Sequence, residues 1–268
     1  MKKWMLFIAI LSLLLSIAGC GAQEADEKEI NVDKMLLCYY HECGEVYTTG
    51  MQNTDLGVEF GLKIENLADC DLRVTSSDLS VNGFMLPTSG LNVEVERGKI
   101  VRAAMILSER DLTEAGVTTV AELSFRLNFY ASKTGELLDR TGVMILHTSA
   151  PMDYVQPVFD GGEEIVCENG LRVVCKGLRN DRIWDGDLVF HFENDLYKDV
   201  TFFVEDITVN GTVLEEGLHT QMNAFTKCVL SMDLEDADDV ETIEYTIRAV
   251  DSYGKVLVST ETITMHAE

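Results

Sequence analysis

The sequence predicts an all-β chain built as two tandem β-sandwiches, and three observations carry that prediction. A stretch occurs twice: residues 57–83 read GVEFGLKIENLADCDLRVTSSDLSVNG and residues 186–211 read GDLVFHFENDLYKDVTFFVEDITVNG. In both, a Glu-Asn pair (Glu65-Asn66, Glu193-Asn194) precedes a Val-Asn-Gly turn, and sixteen positions separate Asn66 from Asn82 and Asn194 from Asn210. Around the repeats lie short apolar-alternating runs divided by turn residues, the signature of half-buried strands. The length, 268 residues, leaves room for two domains of ordinary size, each with its own core.

Taken in order, residues 1–19 (MKKWMLFIAILSLLLSIAG) have the parts of a secretory signal: Lys2 and Lys3, an apolar run over 4–15, then small residues before Cys20. Ile17-Ala18-Gly19-Cys20 resembles a bacterial lipobox. The resemblance implies removal of 1–19 and diacylation of Cys20, by palmitate-type chains, which become the anchor. The apolar run is short of the ~20 residues that span a bilayer, and two acyl chains are what stable anchoring requires. The expected address is therefore the extracellular face of a Gram-positive cell membrane. Residues 20–34, polar and acidic, read as a solvated tether with too little apolar surface to order.

Sandwich one is expected over 35–148. Val58, Phe60, Leu62 and Ile64 alternate with Glu59, Gly61, Lys63 and Glu65, so one strand face is buried and one is wet; Leu188, Phe190 and Phe192 repeat this in the second copy. A short polar turn and a second strand follow, ending in Asn-Gly at Asn82-Gly83 and Asn210-Gly211, the pair best suited to a two-residue hairpin turn. Further strands reach an Asp-Leu pair (Asp111-Leu112, Asp233-Leu234). The acidic segments 113–119 and 235–239 are predicted as single helical turns crossing between sheets, with Ser108 and Ser231 as caps. Leu123, Phe125, Leu127 and Phe129 then match Ile243, Tyr245, Ile247 and Ala249 on the cleanest strand of each copy. The linker, 149–157 (SAPMDYVQP), carries two prolines and is expected to place the copies end to end, with sandwich two over 158–268.

Seven strands in roughly 110 residues fit an immunoglobulin-like, Greek-key sandwich, without the Cys, Trp and Cys of antibody domains. With its lipobox, the layout resembles the tandem Ig-like lipoproteins of Gram-positive, clostridial anaerobes, whose modules share this order of strand, Val-Asn-Gly, strand, Asp-Leu and strand. The resemblance implies an envelope location and no assigned activity.

The charge excludes one class of partner. With the leader removed, 46 Asp+Glu face 19 Lys+Arg. That field repels nucleic acid and anionic headgroups and attracts cations or basic partners.

Candidates for chemistry are few. Cys38, His41 and Cys43 are soft donors close together, but no second Cys/His pair follows, so no metal site is expected. Besides Cys20, three cysteines fall in each domain (Cys38, Cys43, Cys70; Cys167, Cys175, Cys228), an odd number that cannot pair fully within it. Cys38 and Cys167 hold matching places on first strands and are expected to be buried thiols. Glu235, Asp236, Asp238 and Asp239 lack the spacing of a calcium loop. There is no Gly-x-Ser-x-Gly elbow, Ser-x-x-Lys, P-loop or Gly-x-Gly-x-x-Gly, so neither catalytic residues nor a cofactor are assigned.

The expected function is a non-enzymatic, lipid-anchored extracellular module that binds an envelope protein or glycan, or spaces another component. Trp184 and the turns at Asn82 and Asn210 are its candidate binding surface. The alternatives are a substrate-binding or sensory lipoprotein of a transport or stress system, disfavoured because two-lobed binding proteins are helix-rich, and a surface hydrolase.

Overall fold

The computed structural model describes residues 30–40, 43–157, 161–180, 185–234 and 240–266. The signal peptide, Cys20, His41, Trp184 and the acidic run 235–239 lie outside them.

The first sandwich contains β1 (Leu36–Tyr40), β2 (Gly44–Thr54), β3 (Gly57–Asn66), β4 (Leu72–Val81), β5 (Phe84–Met85), β6 (Asn92–Val95) and β7 (Ile100–Ser108). Helix α1 (Glu109–Glu114) leads to β8 (Glu122–Ala131), β9 (Leu137–Arg140) and β10 (Met144–His147). One sheet runs β1-β2-β3-β7; the other runs β10-β8-β4, with β9 on β8 and both β5 and β6 on β4. The second sandwich repeats the plan with β11 (Glu163–Glu168), β12 (Leu171–Asn180), β13 (Asp185–Asn194), β14 (Val200–Val209), β15 (Thr212–Val213), β16 (Leu218–Met222), β17 (Thr226–Met232), β18 (Thr242–Asp251), β19 (Val256–Ser259) and β20 (Ile263–His266). There β11-β12-β13-β17 faces β14-β18 and its flanking strands. Each sandwich thus has the Greek-key crossing of an immunoglobulin-like domain, and the described residues are all-β apart from α1.

The alternation seen in the sequence builds both cores. Phe60, Leu62 and Ile64 on β3 meet Leu123, Phe125, Leu127 and Phe129 on β8, all buried, and Phe60 packs edge-on against Phe125 at 5.8 Å. Phe190 and Tyr245 do the same at 5.3 Å in the second sandwich.

The repeated Glu-Asn pair owes its recurrence to its asparagine. Asn66 is buried; its Nδ2 donates to the carbonyls of Cys70 and Val95, and its Oδ1 accepts from the Ala68 amide. Asn194, equally buried, donates to the carbonyls of Lys198 and Asn223 and accepts from Leu196. In each copy one amide satisfies three backbone groups that would otherwise be buried unpaired, at about 1–3 kcal/mol each. A bulge at Asp78 (φ 56°) recurs at Asp206 (φ 54°), twelve residues past each pin.

The helix differs from the sequence reading. It occupies Glu109–Glu114 instead of starting at residue 113, because Ser108 caps it directly: the Ser108 hydroxyl accepts from the Asp111 amide at 3.0 Å. Asp111, buried, accepts in turn from the Thr88 amide and from the Thr88 and Ser89 hydroxyls.

The largest departure is the arrangement of the copies. They are joined side by side, through a parallel pairing of β5 with β17 that matches Phe84 with Lys227 and Met85 with Cys228. This merges the β4-containing sheet of the first sandwich with the β13-containing sheet of the second into one ten-stranded sheet. The linker is held to the first copy, Gln156 bonding Asn82 Nδ2 and the Gly116 carbonyl. Arg110 crosses to Asp187 (3.2 Å) and Ser231 (2.9 Å). In consequence β13 is buried on both faces: Val189, His191 and Glu193, the expected wet face, lie under the first sandwich, and Val189 and Val229 join its apolar core. Burying Phe84, Val189 and Val229 contributes about 1.5–3 kcal/mol each.

Candidate functional site

Of the three residues proposed from the sequence, Trp184 lies outside the described residues. Asn82 and Asn210 are placed, and each has a structural task in its turn. Both have positive φ (51° and 50°) and, with Gly83 and Gly211 (82° and 79°), close the predicted two-residue turns. Asn82 Oδ1 accepts from the amides of Ala121 and Glu122, and Asn210 Oδ1 from those of Glu241 and Thr242, so each ties its turn to the start of the next long strand. The two sit in separate sandwiches.

The distinctive surface lies at the other end of the second sandwich, where three connections converge: 195–199 between β13 and β14, 223–225 between β16 and β17, and 252–255 between β18 and β19. The Asn194 pin ties the first to the second through the Asn223 carbonyl. Lys198 Nζ ties the first to the third, donating to Asp251 Oδ2 at 2.9 Å. Asp251 Oδ1 accepts from the amides of Tyr253 and Lys255, shaping the turn. The Lys198 hydrogen bond holds the Asp251 carboxyl below the usual aspartate range. On this braced base stand three aromatic rings: Tyr197 (91% exposed), Tyr253 (94%) and Phe225 (54%). Tyr197 and Phe225 meet edge-to-face, centroids 4.6 Å apart and planes at 89°.

The equivalent end of the first sandwich keeps the Asn66 pin but carries no such rings at the matching positions. Counting from the two pins, Asp69 stands where Tyr197 does. The pairings Leu72 with Val95 and Val200 with Met222 place Gly98 opposite Phe225. Lys133 and Thr134 occupy the turn that carries Tyr253. Asp69 pairs with Arg97 across that charged end. Gly98 and Phe225 share a left-handed conformation, φ 69° and 57°. Glycine adopts it freely, whereas a bulky aromatic there is an outlier. A strained residue that is also exposed is not explained by core packing, and strain of this kind gathers at functional surfaces. The sequence signal was present, a Tyr and a Phe replacing Asp and Gly at equivalent turn positions, but reading it needed the strand register.

A second cluster sits in the seam between the sandwiches. His191 Nε2 lies 2.8 Å from Glu193 Oε1, which also accepts from Arg172 at 2.9 Å. Burial pushes His191 below the usual imidazole range, so the neutral ring donates through Nε2 and leaves Nδ1 buried without a partner. Burial opposes ionisation of Glu193, yet the hydrogen bonds from His191 and Arg172 and the charge of Lys227 bring it below the ordinary carboxylate value. The edge of Phe84 closes over the imidazole at 5.8 Å. Packed in this way, the His191 ring is shut away from solvent, while the Arg172 and Lys227 side chains stay partly exposed.

The six described cysteines form no disulfide. Cys43, Cys175 and Cys228 are buried, and burial pushes the Cys38 and Cys228 thiols up to about 12. Cys167 is exposed, against expectation: the β11 bulge between Glu164 and Val166 turns Val166 inward and Cys167 out beside Arg172. Among the described residues no three His, Cys, Asp or Glu side chains converge on a metal-sized site. A groove of about 740 Å³ crosses the outer face of β2, β3 and β7 over Gly50, Gly61 and Ala104, walled by this chain's own Asn31, Asp33 and Lys34.

No family model matches the sequence, and no curated protein matches it. Among solved structures it is similar to the chicken interferon gamma receptor alpha chain, at 9% identity and a TM-score of 0.26 over 89% of this chain and 98% of that one. A 1.5-MDa bacterial ice-binding adhesin matches at 13% identity and a TM-score of 0.21, covering 78% of this chain and 56% of that one. The chaperone–tip adhesion subunit complex CsuC–CsuE of Acinetobacter baumannii matches at 14% identity and a TM-score of 0.22, over 77% and 90%.

Proposed function

We propose that the chain is a non-enzymatic binding module of the bacterial cell envelope, lipid-anchored through Cys20, whose recognition surface is the aromatic loop end of the second sandwich. The observation that carries this reading is Phe225, exposed and in a conformation that its equivalent reaches as Gly98. Rings held on short loops by internal hydrogen bonds present contact area at low entropic cost, the property that antibody loops draw from Tyr and Trp. The first sandwich supports this surface by backing β13 and β17, and the tether supplies reach from the membrane.

The test is saturable binding of the chain from residue 20 onward to isolated native envelope. Tyr197→Asp and Phe225→Gly each install the first sandwich's own residue, so the fold should survive. Loss of saturable binding in both supports the surface; undiminished binding in both removes it. Anchoring is checked separately by palmitate labelling, which should vanish in Cys20→Ala.

A further inference from the structure

We propose that the aromatic loop end recognises a cationic protein segment, one presenting arginine or lysine side chains, an inference that rests on the loop end being the recognition surface. The geometry of the rings is the first ground. Perpendicular rings, as Tyr197 and Phe225 are at 89°, form a notch of one edge and one face instead of the flat platform on which a sugar ring lies. An exposed aromatic face attracts a cation through its quadrupole. Among the described residues this contact occurs four times on the sheets, Lys63 over Tyr47, Arg73 over Tyr130, Lys227 over Phe84 and Arg248 over Phe203. Among the described residues no cation covers Tyr197, Phe225 or Tyr253, so their faces remain open to one from outside.

Charge is the second ground. Asp195 and Asp199 flank Tyr197, both exposed, and Glu168 is exposed at the end of β11, the strand that turns into β12 beside this loop. Of the two basic residues in the three connections, Lys198 is engaged by Asp251, and Lys255, exposed, is outnumbered by these three carboxylates. The asymmetry extends to the whole domain: residues 158–268 hold 24 Asp+Glu against 8 Lys+Arg, whereas residues 35–148 hold 16 against 9. The sandwich with the aromatic tips is therefore the more acidic by a wide margin, and its field draws a basic partner toward the rings.

A fluorescence anisotropy titration of the chain from residue 20 onward tests this. The probes are a labelled Arg-Ser repeat peptide, the same peptide with citrulline for arginine, and labelled cellohexaose. The arginine peptide should bind saturably, the citrulline peptide about tenfold more weakly, as loss of a cation–π contact implies. Tyr197→Asp is the decisive variant, because it removes a ring while adding a negative charge. Attraction by charge alone would tighten binding, whereas recognition at the rings predicts about tenfold weakening, with Phe225→Gly in the same direction. Equal binding of the citrulline peptide, or unchanged or tighter binding by Tyr197→Asp, overturns the proposal. So does failure of the arginine peptide to bind. Cellohexaose binding that depends on Tyr197, or envelope binding that still depends on Tyr197 and Phe225, would then keep the recognition surface and replace only the class of partner.

Discussion

Strands β3 and β13 begin from nearly the same alternation and end in opposite surroundings. Outward on β3 stand Glu59, Gly61, Lys63 and Glu65, none of them buried; at the same positions on β13 stand Asp187, Val189, His191 and Glu193, all buried beneath the first sandwich. The neighbouring strands diverge alike, exposed Arg102 on β7 standing where buried Val229 does on β17. At the loop ends the direction reverses: the first sandwich closes with Asp69, Arg97 and Gly98, and the second displays Tyr197, Phe225 and Tyr253. Duplication preserved what each sandwich needs in order to fold, the buried Asn pins and the Asn-Gly turns. It left free the surfaces that decide what touches what, and the second copy became apolar where it meets the first and aromatic at its exposed loop end.

That contrast breaks most visibly at the seam. Val229→Arg places the first copy's residue in the second copy's buried position, and an uncompensated buried charge costs about 3–5 kcal/mol. The expected result is parting of the sandwiches, seen as an increased radius of gyration in small-angle scattering, while the reciprocal Arg102→Val leaves dimensions unchanged. If Val229→Arg keeps the compact form, the β5–β17 junction does not hold the copies together.

The pins come next. Asn66→Ala and Asn194→Ala each strand buried backbone groups and should lower stability by about 2–3 kcal/mol in urea denaturation. Equal losses confirm that the repeated residue does the same task twice; a neutral result at either site would show that water replaces the side chain there.

Phe225→Gly sharpens the comparison by reversing it. Relief of about 1–2 kcal/mol of backbone strain is offset by loss of the Tyr197 contact, about 0.5–1.5 kcal/mol, and by a looser unfolded chain. Stability should therefore stay within about 1 kcal/mol of the parent, whereas Gly98→Phe should destabilise by about 1–2 kcal/mol with no binding gained. A large loss in Phe225→Gly would make the ring a packing element.

The smallest effects are those of pH. His191 has a folded pKa below its unfolded value of about 6.5, so the unfolded chain binds a proton that the folded one refuses. Stability therefore falls as pH drops from about 6.5 toward the folded pKa, and His191→Gln should flatten that slope. Asp251 is also depressed, but as an acid: its contribution is complete above the unfolded value of about 4 and is lost as pH falls through the folded pKa. Loosening of the Lys198 brace should appear there as an increase in Tyr197 and Tyr253 mobility by NMR, and a flat response would show that the brace does not depend on that charge.

Much of the fold was legible because its determinants are local. Period-two alternation marks β3, β8, β13 and β18, Asn-Gly marks two turns, and Ser108 was readable as a cap although the helix starts earlier than predicted. The candidate site was scarcely legible. Asn82 and Asn210 are legible because they recur, and in both copies the asparagine braces its turn; Tyr197 and Phe225 became visible only once register aligned them with Asp69 and Gly98.

By itself the sequence determined the two sandwiches and the recurrence of their Glu-Asn and Asn-Gly landmarks, since these follow from backbone propensity and from which face of each strand is apolar; the strand order and the burial of Asn66 and Asn194 came from the tertiary structure. Only the tertiary structure decided that β5 and β17, about 140 residues apart, join the copies laterally, that Val189 and Val229 lie in another domain's core, and that three aromatic rings share one end. Alternation reports that a side chain leaves its own core. What it meets beyond is set by contacts distant along the chain, which no local pattern encodes.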